Sequence, residues 1–356
     1  KSSYPHFGYT YNRTMFDDWM LENAISAGAD CRIGDTVREV VTSKTGPHEL
    51  ILRSGESILA TNLILSDGPQ RSITIGVLDQ FLPPGVATKA LGTTTANHIA
   101  YQEYREMPED LFEPNKIKFW WGHIPGHTAY PWIFPNEGNT ARIGITMPIG
   151  MDIDALPNRN SYLLLQPEDT QIPRCSDYIE RLLSFVYPDL DLSDFPLVKQ
   201  KGKRKGTETY PISSTRPIDS PVHANIAITG GAMGATSAFH EGGAHVAIRT
   251  GQIAGTLAAH GSLKQYNTQW KSAIGTEIRR NVAFANLVRG FGPNDWDTVF
   301  RVTNRVLDGD DTSSVLSALR RAGFGGFKLL SAYKKEKFTL RNGRYVQIAE
   351  SDYLPL

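Results

Sequence analysis

Cysteine is scarce in this sequence, and long apolar runs are missing from it. Only Cys31 and Cys175 occur among 356 residues, and their spacing matches no metal site. We therefore expect no disulfide framework, no metal and a reducing compartment. No stretch reaches the roughly 18 apolar residues of a membrane-spanning helix, and no signal peptide is visible, which predicts a cytoplasmic location. Basic and acidic residues both number 37, so nothing in the net charge indicates nucleic-acid binding.

Glycine, by contrast, is concentrated in residues 224–259. The short apolar run at residues 226–228 predicts a buried strand, and a long helix is predicted to end near His260. The glycines between them fall in two groups, Gly230, Gly231, Gly234 and then Gly242, Gly243. A strand, a glycine turn and a helix N-terminus are typical of an anion or cofactor site, because free N–H groups and the helix dipole face the ligand. The alternative is a closely packed strand–helix unit without a ligand.

Two polar residues stand at the starts or ends of upstream elements. A helix is predicted from Arg13 to Ala27, with Asn12 as its cap and Gly28 after it. A cation such as Arg13 is unfavourable in a first helical turn unless it meets an anion. Strands are predicted at residues 36–41, 49–53 and 57–66, and Asp67-Gly68 follows the last one. A carboxylate at the edge of a sheet is typical of α/β ligand sites. The alternative for Asp67-Gly68 is a plain turn, and the alternative for Arg13 is a solvated side chain.

Residues 77–150 are rich in β-branched and aromatic residues and predict an antiparallel sheet. Within it, alternation along the strand sends Tyr130, Trp132 and Phe134 to one face. Pro135 ends that strand, and Gly144 belongs to the next one. Three aromatic side chains on one face either line the core or form an apolar wall for a ligand, since each ring buries a large area.

The remaining segments are less informative. A helix is predicted around residues 175–186, and Tyr266, Trp270, Ile274 and Ile278 share one face of another. A short helix is predicted at residues 312–320, a break at 323–326 and a hairpin turn at Asn342-Gly343. Five basic residues form a local run, Lys199, Lys201, Lys203, Arg204 and Lys205. That run predicts either an exposed strand or contact with an anionic lipid surface.

Four segments together resemble the geranylgeranyl reductase family (digeranylgeranylglycerophospholipid reductase-like), within the flavoproteins built like para-hydroxybenzoate hydroxylase. The first two are residues 13–20, similar to the family's Arg-x-x-Phe-Asp-x-Trp-Leu helix, and residues 66–72, similar to its Ala-Asp-Gly-x-x-Ser segment. The third runs from Tyr130 to Thr146 and resembles the Tyr-x-Trp-x-Phe-Pro…Gly-x-Gly substrate motif. The fourth, residues 230–243, resembles the Gly-Asp-Ala-Ala-Gly…Gly-Gly-Gly flavin segment.

The resemblance implies an α/β (α+β) fold of the para-hydroxybenzoate hydroxylase type. Residues 1–76 and 208–260 would form the FAD-binding domain, 77–207 a substrate domain with an antiparallel sheet, and 261–356 a mainly helical region. FAD would be bound by a set of eight residues: Arg13, Asp67, Gly68, Gly230, Gly231, Gly234, Gly242 and Gly243. The substrate would be bound by Tyr130, Trp132, Phe134, Pro135 and Gly144.

The chain departs from the family pattern at several positions. The N-terminal Gly-x-Gly-x-x-Gly fingerprint is missing and residue 1 is lysine, so the sequence is expected to be N-terminally truncated. Gly231 replaces an aspartate that the family places close to the FAD ribityl–ribose region. His240-Glu241 replaces a small residue and a glycine, which brings a carboxylate toward the flavin. Thr146 replaces the second glycine of Gly-x-Gly.

The implied reaction is flavin-dependent reduction of carbon–carbon double bonds in geranylgeranyl chains of membrane lipids. His240 is the candidate proton donor, because histidine exchanges protons near neutral pH; the alternative is a histidine bonded to the backbone. The partners would be an isoprenoid lipid, an electron donor (ferredoxin, reduced deazaflavin or NAD(P)H) and the inner face of the membrane as a peripheral contact. The competing hypotheses are another flavoprotein of this group (a monooxygenase, a halogenase or a quinone-coupled dehydrogenase) and a lipid-binding protein without flavin.

Overall fold

The computed structural model describes residues 10–44, 46–92, 97–126, 128–156, 159–200, 203, 205–213, 216–223, 225–289, 291–307, 315–341 and 345–354. The chain divides into two compact units. Unit 1 comprises Lys1–Cys31, Ile99–Tyr210 and Arg289–Ala332, and unit 2 comprises Arg32–His98, Pro211–Val288 and Tyr333–Leu356. Each unit has its own hydrophobic core.

The elements mix helices and strands, as the predicted α/β class requires. The helices are α1 (Arg13–Ser26), α2 (Thr74–Leu78), α3 (Val86–Leu91), α4 (Cys175–Val186), α5 (Ala244–Ala259), α6 (Tyr266–Trp270), α7 (Thr276–Val288), α8 (Pro293–Leu307) and α9 (Val315–Thr339). The strands are β1 (Val37–Val41), β2 (His48–Leu52), β3 (Ser57–Ala60), β4 (Leu63–Leu65), β5 (Asn97–Glu106), β6 (Lys118–Phe119), β7 (Tyr130–Pro135), β8 (Thr140–Pro148), β9 (Thr207–Ser213), β10 (Val222–His223) and β11 (Ile226–Ile228).

The strand predicted at residues 57–66 is two strands in two different sheets. β3 pairs antiparallel with β2, at the edge of the sheet β1-β2-β3. β4 instead pairs in parallel with β11, and Ile226 lies opposite Leu63. The prediction of one strand was wrong because residues 61 and 62 form a bend between two runs of similar composition. The parallel pairing brings the carboxyl ends of β4 and β11 to the same edge of a sheet.

The core of unit 2 contains β4, β11 and helices α5 to α7. Tyr266 and Trp270 are fully buried in it, and Ile274 and Ile278 continue the same buried face, as predicted. Residues Lys271–Gly275 form a π-helical turn between α6 and α7. The hydroxyl of Tyr266 donates a hydrogen bond to the Ile228 carbonyl oxygen at 3.1 Å, which ties α6 to the strand that leads into the glycine segment.

Unit 1 is built around a five-stranded sheet in the order β6-β7-β8-β5-β9. β7 and β8 are antiparallel, and Trp132 is paired with Gly144. α4 contributes Tyr178, Ile179 and Leu182 to the core under this sheet. The sheet begins only at Asn97, because residues 74–78 and 86–91 are the short helices α2 and α3. The prediction that the sheet starts near residue 77 was therefore wrong.

Several local predictions are confirmed. α4 has the predicted bounds, and α1 ends one residue early, after which Gly28 adopts a φ of 94°. Gly323 interrupts α9 with a φ of 62°, within the predicted break. The turn at Asn342-Gly343 lies outside the described residues. In the ranges that the structure describes, no helix has both the length and the apolar character needed to cross a bilayer.

Candidate active site

Two turns meet at the carboxyl ends of β4 and β11. The Asp-Gly turn (residues 67–69) follows β4, and the Gly-Gly turn (residues 230–234) follows β11. The hydroxyl oxygens of Ser66 and Thr229 lie 2.8 Å apart. A Cβ at Gly231 would lie 3.2 Å from Cδ of Pro69, so the two turns are in van der Waals contact. The carboxyl edge of adjacent parallel strands is where α/β proteins bind ligands, and the fold thus unites two segments predicted to bind one cofactor.

Asp67 has a structural role in the Asp-Gly turn. Its Oδ2 accepts hydrogen bonds from the backbone N–H groups of Ile73 and Thr74 at 2.8 and 3.0 Å, and its Oδ1 accepts one from the Thr74 hydroxyl at 2.5 Å. The carboxylate therefore satisfies the N–H groups at the start of α2, which have no intrahelical partner. Each carboxylate oxygen has further lone pairs, so this role is compatible with a ligand contact.

The glycines of the two turns differ in what surrounds them. Gly230 has a φ of 55°, and a Cβ there would lie 3.1 Å from the Cβ of Ala247. Its N–H donates to the hydroxyl of Thr250 at 3.0 Å, so Gly230 allows β11 to pack closely on α5. Gly68 has a φ of 70° and would meet no atom within 4 Å of an added Cβ. Gly68 thus faces open space, as the backbone that contacts a ligand should.

Arg71 is buried and holds the two turns together, a role that the sequence did not suggest. Six acceptor oxygens lie 2.5 to 3.3 Å from its guanidinium nitrogens, and three of them share the two N–H groups of one nitrogen. The acceptors are the carbonyl oxygens of Pro69, Leu91, Gly231 and Ala232, the amide oxygen of Asn97 and the hydroxyl of Ser213. Burial lowers the pKa of Arg71 to about 10, partly offset by Asp67, so the side chain is charged at neutral pH.

The N-terminus of α5 carries Gly242, Gly243 and His240. Gly243 is the N-cap residue, and a Cβ there would lie 3.1 Å from Oγ1 of Thr236. Nδ1 of His240 accepts a hydrogen bond from the N–H of Gly242 at 3.2 Å, which is the backbone-bonded histidine that we considered as the alternative. Desolvation and the positive charge of His245 lower the pKa of His240. The ring is therefore neutral at neutral pH, with its proton on Nε2.

Glu241 departs from the expected geometry of the glycine segment. Its φ is 59°, a left-handed conformation that is unfavourable for a residue other than glycine. Its side chain is 1% exposed, and Oε1 lies 2.5 Å from Nδ1 of His98. The carboxylate that the sequence predicts near the flavin is thus paired with a histidine at the start of β5. No sequence pattern marks His98, which lies 143 residues away.

Arg13 and the predicted substrate residues belong to unit 1, whereas the two turns and the α5 N-terminus belong to unit 2. Arg13 has the anionic partner that its position requires, since its Nε lies 2.6 Å from Oδ1 of Asp17. This hydrogen bond raises the pKa of Arg13. The cap of α1 is also as predicted, with Oδ1 of Asn12 accepting from the N–H of Met15.

The substrate motif of unit 1 has a packing explanation. Trp132 and Gly144 are partners across β7 and β8, and a Cβ at Gly144 would lie 2.6 Å from Cε2 of Trp132. Only glycine therefore allows the indole to lie flat on the neighbouring strand. Pro135 instead lines a small cleft on the other face with Ile133 and Tyr187.

The aromatic rings of this face touch one another. We call the set Phe119, Trp121, Tyr130, Trp132 and Phe134 the aromatic wall; neighbouring centroids are 5.0 to 5.8 Å apart. Tyr130 and Trp132 are buried, whereas Phe134 is half-buried. Trp296 of α8 extends the wall, stacked on Trp121 at 5.7 Å, and Gly122 makes room for it. The wall is formed by aromatic rings, which is the type of lining that the binding of a hydrocarbon requires.

Comparisons with known proteins agree with the motifs. No family model matches the sequence. The sequence is 22% identical over 327 residues to digeranylgeranylglycerophospholipid reductase 2 of Methanothermobacter thermautotrophicus, which covers 88% of this chain and 73% of that protein. It is 21% identical over 317 residues to the digeranylgeranylglycerophospholipid reductase of Methanocaldococcus jannaschii, with coverages of 85% and 71%.

A solved structure supports the same relationship at the level of the fold. The crystal structure of a geranylgeranyl bacteriochlorophyll reductase-like protein from Thermoplasma acidophilum superposes with a TM-score of 0.65 and 17% identity. The superposition covers 93% of this chain and 78% of that one. The predicted fold class and the predicted family resemblance are both confirmed.

Proposed function

We propose, on the premise that this chain belongs with the geranylgeranyl reductases, that it is an FAD-dependent oxidoreductase acting on carbon–carbon double bonds of isoprenoid lipid chains. The observation that carries the proposal is the parallel pairing of β4 and β11, which sets the Asp-Gly turn against the Gly-Gly turn. Two segments that resemble separate parts of one flavin site, 163 residues apart in the chain, thereby form one surface.

The residues at this edge fit a flavin dinucleotide. Gly68 presents open backbone, and α5 has no acidic residue in its first turn. Glu241, the one carboxylate within the segment from Gly230 to Gly243, is paired with His98. The free N–H groups at the N-terminus of this sixteen-residue helix would face an anionic group or the pyrimidine edge of a flavin.

Each part of the chain would have its own task. The two turns and the α5 N-terminus would bind FAD, together with Arg13. Bound flavin supplies the hydride in this class of reaction. The aromatic wall, with Gly144 opposite Trp132, would bind the geranylgeranyl chain and exclude water. The lipid would be a membrane phospholipid, which the enzyme would meet at the membrane surface.

A direct test uses the purified full chain with FAD. Incubation under anaerobic conditions with a chemical reductant and a geranylgeranyl glycerophospholipid should give products heavier by two hydrogens per reduced double bond, measured by mass spectrometry. A chain that shows no flavin absorbance after FAD is added would instead support the lipid-binding protein without flavin. Oxygen consumption with an aromatic substrate would support a monooxygenase.

A separate variant tests the proposal that the aromatic wall binds the lipid chain. Trp132→Phe should raise KM for the lipid and leave the FAD affinity unchanged, because Trp132 belongs to the proposed lipid-binding residues and not to the proposed FAD-binding residues. Trp120→Phe is the matched control, since Trp120 packs against the core of the same unit. Equal effects of the two changes on KM would contradict the role of the aromatic wall.

A further inference from the structure

Three histidines and two carboxylates surround the N-terminus of α5. His98 pairs with Glu241 at 2.5 Å, and His245 pairs with Glu277 at 2.9 Å. His240 interacts electrostatically with His245, Glu277 and Glu241. In the part of the chain that the structure describes, no such group is arranged to hold a metal ion. Histidine side chains can exchange protons near neutral pH, and these three lie beside carboxylates.

We propose that His98 is the proton donor of the double-bond reduction and that Glu241 positions its ring. The inference rests on the proposed function and adds a residue to it. Its basis is the geometry of the pair, which combines a buried carboxylate, a histidine that remains partly accessible and a backbone held in a left-handed turn.

The accessibility of the two partners differs in the way a proton donor requires. The Glu241 side chain is 1% exposed and the His98 side chain 13% exposed. Oε1 of Glu241 engages Nδ1, so the carboxylate fixes the ring orientation and the tautomer. Within the described residues, Nε2 of His98 makes no hydrogen bond, and this nitrogen remains for a reacting group.

The backbone of Glu241 supports a specific role. A left-handed conformation at a residue other than glycine persists only where the surroundings hold it. Here the following residues, Gly242 and the N-cap Gly243, lead directly into α5, and the hydrogen bond from the N–H of Glu241 to the Ser237 carbonyl oxygen fixes the turn. The turn directs the carboxylate inward to His98.

The chemistry balances with one proton from His98. A double bond that is reduced gains a hydride on one carbon, which bound flavin would supply, and a proton on the other. The imidazolium of His98 would release that proton from Nε2, keep the proton on Nδ1 toward Glu241, and regain one from water. Glu241 balances the charge of the ring before transfer. His240 is less suited to the same task, because its ring is neutral at neutral pH and its Nδ1 accepts from Gly242.

The first experiment tests the pair without turnover. The protein is labelled with ¹⁵N-histidine and its side-chain signals are recorded by NMR, with His98 assigned from the spectrum of His98→Asn. We expect Nδ1 of His98 to be protonated and its proton to be protected from exchange. Glu241→Gln should abolish that protection. An unprotonated Nδ1 of His98 in the wild-type protein would overturn the proposal. If His98→Asn does not fold, spectra of the wild-type protein that correlate the ring with the backbone give the assignment.

The second experiment isolates the proton step. The FAD-loaded enzyme is reduced anaerobically with dithionite, and its reoxidation by a geranylgeranyl glycerophospholipid is followed by flavin absorbance. His98→Asn keeps a donor to Glu241 but carries no transferable proton, so reoxidation should slow about 100-fold, a typical contribution of general acid catalysis. Glu241→Gln should slow it less. The control His260→Gln, at the C-terminal end of α5, should stay within about twofold of wild type.

The outcomes separate this proposal from the proposed function. A wild-type enzyme that the lipid does not reoxidise would refute the proposed function and the role of His98 within it. A wild-type enzyme that is reoxidised, with His98→Asn equally fast, would refute the role of His98 alone.

Discussion

The indole of Trp132 lies against the backbone of Gly144 so closely that an added Cβ would sit 2.6 Å from its Cε2 and 2.7 Å from the Cβ of Gln102. The spacing of the Tyr-x-Trp-x-Phe-Pro…Gly motif follows from this contact, because the hairpin register places residue 144 opposite residue 132. The glycine is thus a condition for the flat placement of the tryptophan.

Gly144→Ala should therefore destabilise the protein. Neither neighbour can move far in a packed sheet, so overpacking should lower the free energy of unfolding by about 1–3 kcal/mol. Urea unfolding monitored by tryptophan fluorescence measures the loss. Gly292→Ala is the matched control in the same unit, since a Cβ there would meet no atom within 4 Å. Equal stabilities for the two variants would contradict the packing argument.

Arg71→Lys should destabilise the protein strongly, although it replaces one cationic side chain with another. A lysine cannot reach the six acceptors that the guanidinium fork serves, and several buried oxygens would lose their donor. We expect a loss of about 3 kcal/mol in unfolding free energy and weaker FAD binding, because the Asp-Gly and Gly-Gly turns would separate. Arg53→Lys, at an exposed position of the same unit, provides the comparison. Unchanged urea midpoints in both variants would contradict the conclusion that Arg71 holds the two turns together.

Gly231→Asp tests whether the aspartate that the geranylgeranyl reductase family has at this position would strengthen FAD binding here. Its Cβ would contact Pro69 at 3.2 Å, so a small shift of the Asp-Gly turn is required. Gly231→Ala introduces the same contact without a carboxylate, and both variants should lose similar stability. Only the aspartate should tighten FAD, about tenfold for one added charge-assisted hydrogen bond. Isothermal titration with FAD measures the difference; equal affinities for Asp and Ala would count against the placement of this turn at the flavin.

The pKa of His240 predicts a pH dependence of stability. Burial and His245 lower this pKa from 6.5 in the folded chain. As the pH falls, the unfolded chain therefore takes up the proton first, and the free energy of unfolding decreases below about pH 6.5. His240→Gln should flatten the profile between pH 7 and 5, measured by urea unfolding at each pH. His123 and His223, whose pKa values are also lowered by burial, contribute equally to both proteins.

The control for this profile is Gln252→Asn, which should keep the wild-type slope because neither side chain titrates. Gln252 lies at an exposed position of α5. A slope for His240→Gln as steep as that of wild type would show that the ring does not lose solvation on folding.

Local patterns predicted the elements whose signals lie within the element itself. α4 and the break at Gly323 follow from helical periodicity and glycine, and the buried run Ile226–Ile228 follows from its composition. The division into β3 and β4 was missed because both runs are apolar. Which sheet each strand joins depends on its pairing partner, and the partner of β4 is β11, far away in the sequence. α2 was missed because its N-terminus depends on Asp67, a residue seven positions before the first residue of the helix.

The site was predictable only where one segment carries its own motif. The glycines of residues 230–243 and the aromatic strand are visible in the sequence. Arg71 and His98 are not, since their roles arise from contacts with chain segments 160 and 143 residues away. From the local sequence, a charged residue in a turn is expected to be solvated. Its burial depends on distant chain segments that the local sequence does not identify.

The pairing of β4 with β11 also sets the order of assembly during folding. Ser66 and Thr229 come together across 163 residues, and every residue of the large sheet lies in the intervening chain. Closing a segment of that length loses conformational entropy before the free energy of the new contacts offsets the loss. This strand pair is therefore expected to form late. The Asp-Gly and Gly-Gly turns exist as one surface only after that closure. We therefore expect a chain released from denaturant to bury its aromatic residues before it acquires the FAD affinity that we propose for these turns.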